Sequence, residues 1–253
     1  MVKTEGLSED EIERYDRQLR IPSFGAEAQI KLKKSSVLVA GVGGLGSAAA
    51  IYLTAAGVGK LRIVDHGEVE LSNLNRQILY STEDVGRSKV SAASEKLKSI
   101  NPNVEIEAVK EQITEANVHD LLKGVDVVVD GQDNFKTRFI INEACIEDLK
   151  PFVHGAVYAF EGRLMTIIPG KGPCLRCLIP QDPKQVTPVP VFGPLPGIVG
   201  VLEALEAIKL LTGVGEPSLG RLLIIDGETL SFYSVDIRRD PNCPVCGGNK
   251  KRK

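Results

Sequence analysis

The sequence predicts an α/β fold: a Rossmann-like mixed sheet, parallel in its first half, with an antiparallel C-terminal extension and helices on both faces. Three observations predict it. Short apolar runs alternate with helical patterns through residue 150, the signature of strand–helix–strand units. A glycine-rich turn joins the first of those strands to its helix. After residue 151, strand-like runs follow one another with only short turns between them, as antiparallel neighbours do.

The elements follow in order. Residues 9–19 and 24–34 are polar with helical spacing. The run 36–40 (Ser-Val-Leu-Val-Ala) reads as a fully buried strand, and 45–56 as a helix of small residues. Residues 60–65 form a second strand that ends in an acid. A helix at 88–100 stops at Asn101-Pro102, a breaker pair. Strands are expected at 104–109 and 125–129, and a helix at 134–149. Strands at 152–158 and 162–168 come next, then an apolar helix at 197–211 and a closing pair of strands at 221–226 and 230–237. Residues 180–196 hold six prolines. Proline fixes φ and lacks the amide donor, so an extended loop is expected there, either a linker or a substrate-channel wall. We divide the chain into N-terminal helices (1–34), a nucleotide-binding region (35–150) and a C-terminal part (151–253) within the same domain.

Composition narrows the function. A net charge of −2 leaves no broad basic face for duplex binding, so no nucleic-acid partner is expected. With 43% hydrophobic residues the chain can bury a core and is not disordered. Residues 35–59 carry no charge, which is long enough to span a bilayer. They also hold six glycines and split into strand, turn and helix, so no membrane span is expected. The N-terminus is polar and acidic, without the apolar region of a signal peptide. The cytoplasm is the expected compartment.

The glycine turn is Gly41-Val42-Gly43-Gly44-Leu45-Gly46. Its first glycine permits the turn, the second lets backbone approach phosphate, and the third lets helix pack on strand. The helix start offers unpaired amides to an anion. Asp65 ends the next strand, where a carboxylate can accept ribose hydroxyls. Together these specify an adenine nucleotide, and the motif alone favours a nicotinamide dehydrogenase. The next residues shift that balance. Asn73, Arg76 and Gln77 lie in Ser72-Asn73-Leu74-Asn75-Arg76-Gln77, and Lys89 opens the following helix. Two added cations and an Asn suit a triphosphate, whose outer oxygens carry more charge. Asp133 follows the fourth strand, well placed for Mg²⁺, which takes one or two carboxylates plus phosphate oxygens. Taken singly, Arg76 and Lys89 also fit solvated surface charges, and Asp133 fits an N-cap for the helix at 134–149.

Four of the five cysteines form two Cys-x-x-Cys pairs, Cys174/Cys177 and Cys243/Cys246. Four thiolates at such spacing make a closed, structural Zn²⁺ site. Disulfides are the alternative, disfavoured in a reducing compartment. The fifth, Cys145, falls in a helix expected to be buried and reads as a core residue.

The chain resembles the MoeB/ThiF (HesA/MoeB/ThiF) family, bacterial and archaeal relatives of ubiquitin-activating enzymes. The resemblance runs from Arg14-Tyr15-Asp16-Arg17-Gln18 through the nucleotide motifs to Pro173-Cys174-Leu175-Arg176-Cys177. It continues through Glu203-Ala204-Leu205-Glu206-Ala207-Ile208-Lys209 and ends at Cys243-Pro244-Val245-Cys246-Gly247. It implies an adenylyltransferase that uses ATP and Mg²⁺. The substrate implied is the C-terminal glycine carboxylate of a ubiquitin-like sulfur-carrier protein of the MoaD/ThiS type, ending Gly-Gly. By resemblance, Gly44 lies at the phosphates and Asp65 holds the ribose. Asn73, Arg76 and Lys89 contact phosphate, and Asp133 binds Mg²⁺. Arg17 resembles an arginine finger that reaches in from the second subunit of a homodimer; by itself it also fits a surface charge.

The chain departs from the pattern in the crossover loop. Some relatives carry a reactive cysteine there; the matching position is about Val186, beside Thr187. Neither residue can be a sulfur nucleophile, so adenylation without a thioester step is expected. The proline-rich loop also leaves open a small-molecule carboxylate as substrate. A nucleotide-binding scaffold without chemistry is the reading from another class.

Overall fold

The computed structural model describes residues 6–184 and 188–248. The N-terminal helical region is broken rather than continuous. Helix α1 (Glu9–Arg14) starts on a reciprocal cap: Ser8 Oγ accepts the Glu11 amide, and the Glu11 carboxylate accepts the Ser8 amide. Tyr15 then leaves helical geometry before α2 (Asp16–Leu19). Its ring is buried and its hydroxyl accepts a hydrogen bond from Asn101 Nδ2 at 2.8 Å. A tertiary anchor thus interrupts what periodicity alone reads as one helix at 9–19. Helix α3 (Gly25–Lys33) leads into the sheet.

The parallel half comprises β1 (Ser36–Ala40), β2 (Lys60–Val64), β3 (Glu105–Val109), β4 (Val127–Asp130) and β5 (Phe152–Tyr158). The antiparallel half adds β6 (Glu161–Ile167), β7 (Arg221–Asp226) and β8 (Ser231–Asp236). All eight form one sheet in the order β3-β2-β1-β4-β5-β6-β7-β8, antiparallel from the β5/β6 pair onward. The sheet therefore continues unbroken across residue 151. In register, Val39 stands between Ile63 on β2 and Val129 on β4.

Alternation along β1 explains the two helical layers. Val37 and Val39 face a core shared with α3, α4 (Gly44–Ala56), α5 (Lys89–Ile100) and α9 (Pro194–Thr212). Leu38 and Ala40 face the other core, with α6 (Val118–Leu122), α7 (Phe135–Glu147), α8 (Leu175–Leu178) and the paired cysteines. A strand buried on both faces must be apolar at every position, which is why 36–40 lacks polar alternation.

The proline-rich segment is shorter as a loop than expected. Pro194 and Pro196 belong to the first turn of α9, where missing amide donors leave no hydrogen bond unmade. Among the described residues, no helix is long and apolar enough to cross a membrane. The 35–59 stretch is β1, the glycine turn and α4, as its glycines imply.

Candidate active site

The carboxyl ends of β1, β2 and β4 converge on one cleft of about 780 Å³, within the range of small-ligand sites. The glycine turn forms its floor. Gly41 has φ +97°, a conformation L side chains rarely adopt, and a Cβ on Gly46 would stand 1.8 Å from the Gly41 carbonyl oxygen. Only glycine permits that approach of helix to strand end. The Val42 peptide is fixed from both sides. Its amide donates to Asp65 Oδ2 at 3.0 Å, and its carbonyl accepts from the Tyr80 hydroxyl at 2.9 Å and Ser47 Oγ at 3.1 Å. The other Asp65 oxygen accepts the Gly67 amide at 2.8 Å. Asp65 thus shapes the turn and lines the cleft, and each oxygen keeps a second lone pair for a ribose hydroxyl.

Arg76 and Lys89 line the same cleft. The Arg76 guanidinium donates to the Ser72 carbonyl and to Asn75 Oδ1, both at 3.0 Å, so it is steered but carries no carboxylate partner among the described residues. Lys89 is the first residue of α5, its amide bonded to the Gly67 carbonyl at 3.1 Å. Gln77 is 4% exposed and its Oε1 has no hydrogen-bond partner among the described residues. An unsatisfied buried amide at a cleft wall is the mark of a group awaiting a ligand. Cations, a free amide and a glycine cradle together fit a nucleotide triphosphate.

Asp133 is exposed into the cleft. The cap of α7 is its neighbour: Asn134 Oδ1 accepts the Thr137 amide at 2.9 Å. The capping alternative for Asp133 therefore falls away. Among the described residues its carboxylate receives one long hydrogen bond, from Asn134 Nδ2 at 3.5 Å, and otherwise stands open, as a magnesium ligand must.

Thus Gly41, Gly43, Gly44, Asp65, Arg76, Gln77, Lys89 and Asp133 all border one space. Asn73 does not. It is buried, and its Oδ1 accepts the Glu70 amide at 3.2 Å. Arg17 also lies elsewhere, on α2, with its side chain 95% exposed and 4.0 Å from Asp16. The cleft adds residues that motif reading did not single out: Arg138, Arg163 and Lys184. Arg163 sits in a strand and Lys184 in the proline-rich loop, each without a motif around it. Val186 and Thr187 lie outside the described residues.

The four paired cysteines cluster where the chain's C-terminal turns meet α8, with all sulfurs within 4.8 Å of one another. Cys174–Cys243 and Cys177–Cys246 are 3.6 and 3.4 Å apart. A disulfide needs ~2.05 Å, whereas a tetrahedron with ~2.3 Å Zn–S bonds has edges of roughly 3.8 Å. The set fits Zn²⁺. Burial and neighbouring sulfurs push the Cys174 thiol up, and burial brings Cys177 up to about 11; a divalent cation at the centre reverses this by favouring thiolates.

A doubly wound sheet with an anion cradle, free cations and an open carboxylate at its switch point defines a nucleotide-using enzyme. The comparisons make that class specific. The ThiF family model matches residues 15–245, and this chain belongs to the ThiF family. It is 44% identical over 250 residues to the sulfur carrier protein adenylyltransferase of Thermus thermophilus, covering 95% of this chain and 92% of that protein. It is equally 44% identical over 250 residues to the SAMP-activating enzyme E1 of Haloferax volcanii, covering 96% and 92%. Among solved structures, Escherichia coli MccB with AMPCPP and selenomethionine MccA superposes with a TM-score of 0.82 at 27% identity, covering 92% of this chain and 74% of that one. The chain is an adenylyltransferase.

Proposed function

We propose that this enzyme uses ATP and Mg²⁺ to adenylate the C-terminal glycine carboxylate of a ubiquitin-like sulfur-carrier protein ending Gly-Gly, releasing pyrophosphate, with no cysteine thioester step. The observation that carries this is the convergence of Asp65, Arg76, Lys89 and Asp133 on one cleft. That cleft is also bordered by Lys184, Pro188 and Val191 of the crossover segment, a wall suited to an extended tail. The relatives named above for sulfur carriers and SAMP support the choice of partner.

The chemistry asks for charge stabilisation and positioning. A carboxylate oxygen attacks the α-phosphorus, the bond to the bridging oxygen breaks, and pyrophosphate leaves with the electron pair. Negative charge grows on the leaving group, where Arg76 and Lys89 meet it. Asp65 holds the ribose, and the glycine turn presents backbone amides to the phosphates. Mg²⁺ held by Asp133 and phosphate oxygens would supply further neutralisation. No protein nucleophile is required. Cys145 does not offer one: it is wholly buried in α7, and burial holds its thiol well above the usual range. Arg17 acts in this reading from the second subunit of a homodimer.

The test is ATP–pyrophosphate exchange. Exchange should depend on a Gly-Gly-ending carrier, and Asp133→Ala should abolish it while circular dichroism and the melting midpoint stay near wild type. Exchange with free carboxylic acids and with no carrier would replace the partner assigned here by a small molecule.

A further inference from the structure

Beneath the cleft floor lies a group of ionisable side chains that the scheme above leaves unused. Asp130 closes β4, His154 lies on β5 and Glu203 on α9, all at 2% exposure or less; Arg138 of α7 is 5% exposed. Asp130 Oδ2 stands 2.6 Å from His154 Nδ1 and 3.3 Å from Arg138 Nε. A carboxylate at Nδ1 selects the imidazole tautomer protonated there, so His154 donates. The other Asp130 oxygen accepts the Gln132 amide at 3.0 Å. Arg138 donates from one terminal nitrogen to the carbonyls of Gln132 at 2.6 Å and Gly155 at 3.1 Å. Gln132 in turn donates from Nε2 to the Ala40 carbonyl at 2.8 Å, beside the glycine turn.

These contacts share one target. They grip residues 130–132 from β1, β5 and α7, and the next residue is Asp133. Asp133 itself has almost no partner of its own. Its position is therefore set from below, through the backbone that these buried groups hold. The back wall is equally fixed: a Cβ on Gly155 would stand 2.5 Å from Glu203 Oε1, so α9 seats directly against β5.

We propose that Asp130, His154 and Arg138 are positioning residues, a buried clamp that fixes the 130–133 loop and so sets where the Asp133 carboxylate meets the metal-bound triphosphate. The proposal rests on the assignment of Asp133 above. Outer partners that orient a metal ligand cost ~10–100-fold in metal affinity when removed, far more than a remote packing change would.

The experiment measures binding of α,β-methylene ATP to the full-length protein by calorimetry, with saturating Mg²⁺ and with EDTA. His154→Leu keeps side-chain volume but loses the donor; His154→Asn keeps a donor near the Nδ1 position. His154→Leu should lose about tenfold of the Mg²⁺-dependent gain in affinity, with the EDTA affinity within about twofold of wild type. His154→Asn should restore most of the gain. If His154→Leu fails to fold, Arg138→Lys, which keeps the charge but not the forked donors, should lose a similar share of the Mg²⁺-dependent gain; Arg138 also borders the cleft, so only that gain, and not the EDTA affinity, is compared with wild type. Equal Mg²⁺ gains in wild type, His154→Leu and Arg138→Lys would overturn the clamp. A fall of equal size in His154→Leu and His154→Asn would also overturn it, since the donor would then be irrelevant. Asp133→Ala separates the two levels. If it keeps the full Mg²⁺ gain, the assignment of Asp133 fails and the clamp with it; if it loses the gain while His154→Leu does not, only the clamp fails.

Discussion

Glu203 is a carboxyl group with no exposure, seated against the backbone of Asp130 and Gly155 and without a charged partner of its own among the described residues. Burial, and then the negative charge of Asp130, hold its pKa well above the usual carboxylate range. The folded protein therefore keeps a proton that the unfolded chain releases near pH ~4.3. A raised folded pKa contributes stability that is complete below the unfolded value and is lost as pH rises toward the folded one. Within that window the loss is ~1.4 kcal/mol per pH unit. His154 has the opposite sense: burial lowers its pKa, so its contribution is present above the unfolded value near ~6.5 and is lost as pH falls. Comparing wild type with Glu203→Gln isolates the first effect. Urea midpoints between pH 5.5 and 7.5 should show wild type losing stability relative to the variant as pH rises, and a constant difference would show Glu203 ionised in the fold. The same residues mark the limit of sequence reading at this scale. That Asp65, Arg76, Lys89 and Asp133 border one cleft is legible because each stands in a polar motif at a strand end or helix start. His154 and Glu203 sit inside runs whose apolar neighbours dictate strand and helix, and nothing in the local pattern separates a buried functional acid from a solvated one. Pairing of β5 with β4 brings His154 to Asp130, and the packing of α9 on β5 brings Glu203 there.

The cysteine cluster ties elements together that are far apart in sequence. Arg176, between Cys174 and Cys177, stacks over the Phe139 ring at 3.4 Å and donates to Asp182 at 2.6 Å. The first knuckle is thus joined both to α7 and to the start of the crossover segment. The far end of that segment is pinned separately: the Ala159 amide donates to the Pro190 carbonyl at 2.7 Å, and Phe160 and Phe192 pack with ring centroids 5.0 Å apart. Lys184 and Pro188, which border the cleft, lie between these two anchors in sequence. Elemental analysis should find one Zn²⁺ per chain, and Cys246→Ser should lose it. Two large apolar cores stabilise the fold alongside the cluster, so the expected cost is far below the ~10–16 kcal/mol of an isolated finger; a loss of about 2–4 kcal/mol lowers the melting midpoint by roughly 5–15 °C. Unchanged stability in a zinc-free variant would remove the structural role. Element reading succeeded where the pattern was long. The buried strands and helices α4, α5 and α7 were legible to within a few residues, because apolar runs and caps mark them. Helices α6 and α8 span five and four residues, too short for a 3.6-residue period to show. The sequence places the start of α9 at residue 197 and the structure at Pro194, because proline argues for a loop everywhere except in a first helical turn, which tolerates it.

At the scale of the whole molecule, one catalytic assignment has no place in the single chain. Arg17 is 95% exposed on α2, and its nearest acid, Asp16, is engaged by Arg20 at 2.8 Å. A guanidinium left this free contributes little to its own fold. If it completes the cleft of a second subunit, activity belongs to the dimer, and the two functions can be separated onto different chains. Arg17→Ala keeps a complete cleft but supplies no finger; Asp133→Ala supplies the finger but has a dead cleft. Each homodimer should be inactive in ATP–pyrophosphate exchange. Co-refolded in equal amounts, half of the dimers pair one of each chain. In such a dimer one cleft has lost both groups, and the other joins an intact Asp133 to the partner's intact arginine. Recovered exchange should therefore approach about one quarter of the wild-type rate per chain, as closed two-fold symmetry dictates. An arginine acting within its own chain gives no recovery at any mixing ratio, because no cleft then holds both groups. A monomer at working concentration in sedimentation, with full activity, would remove the trans assignment altogether.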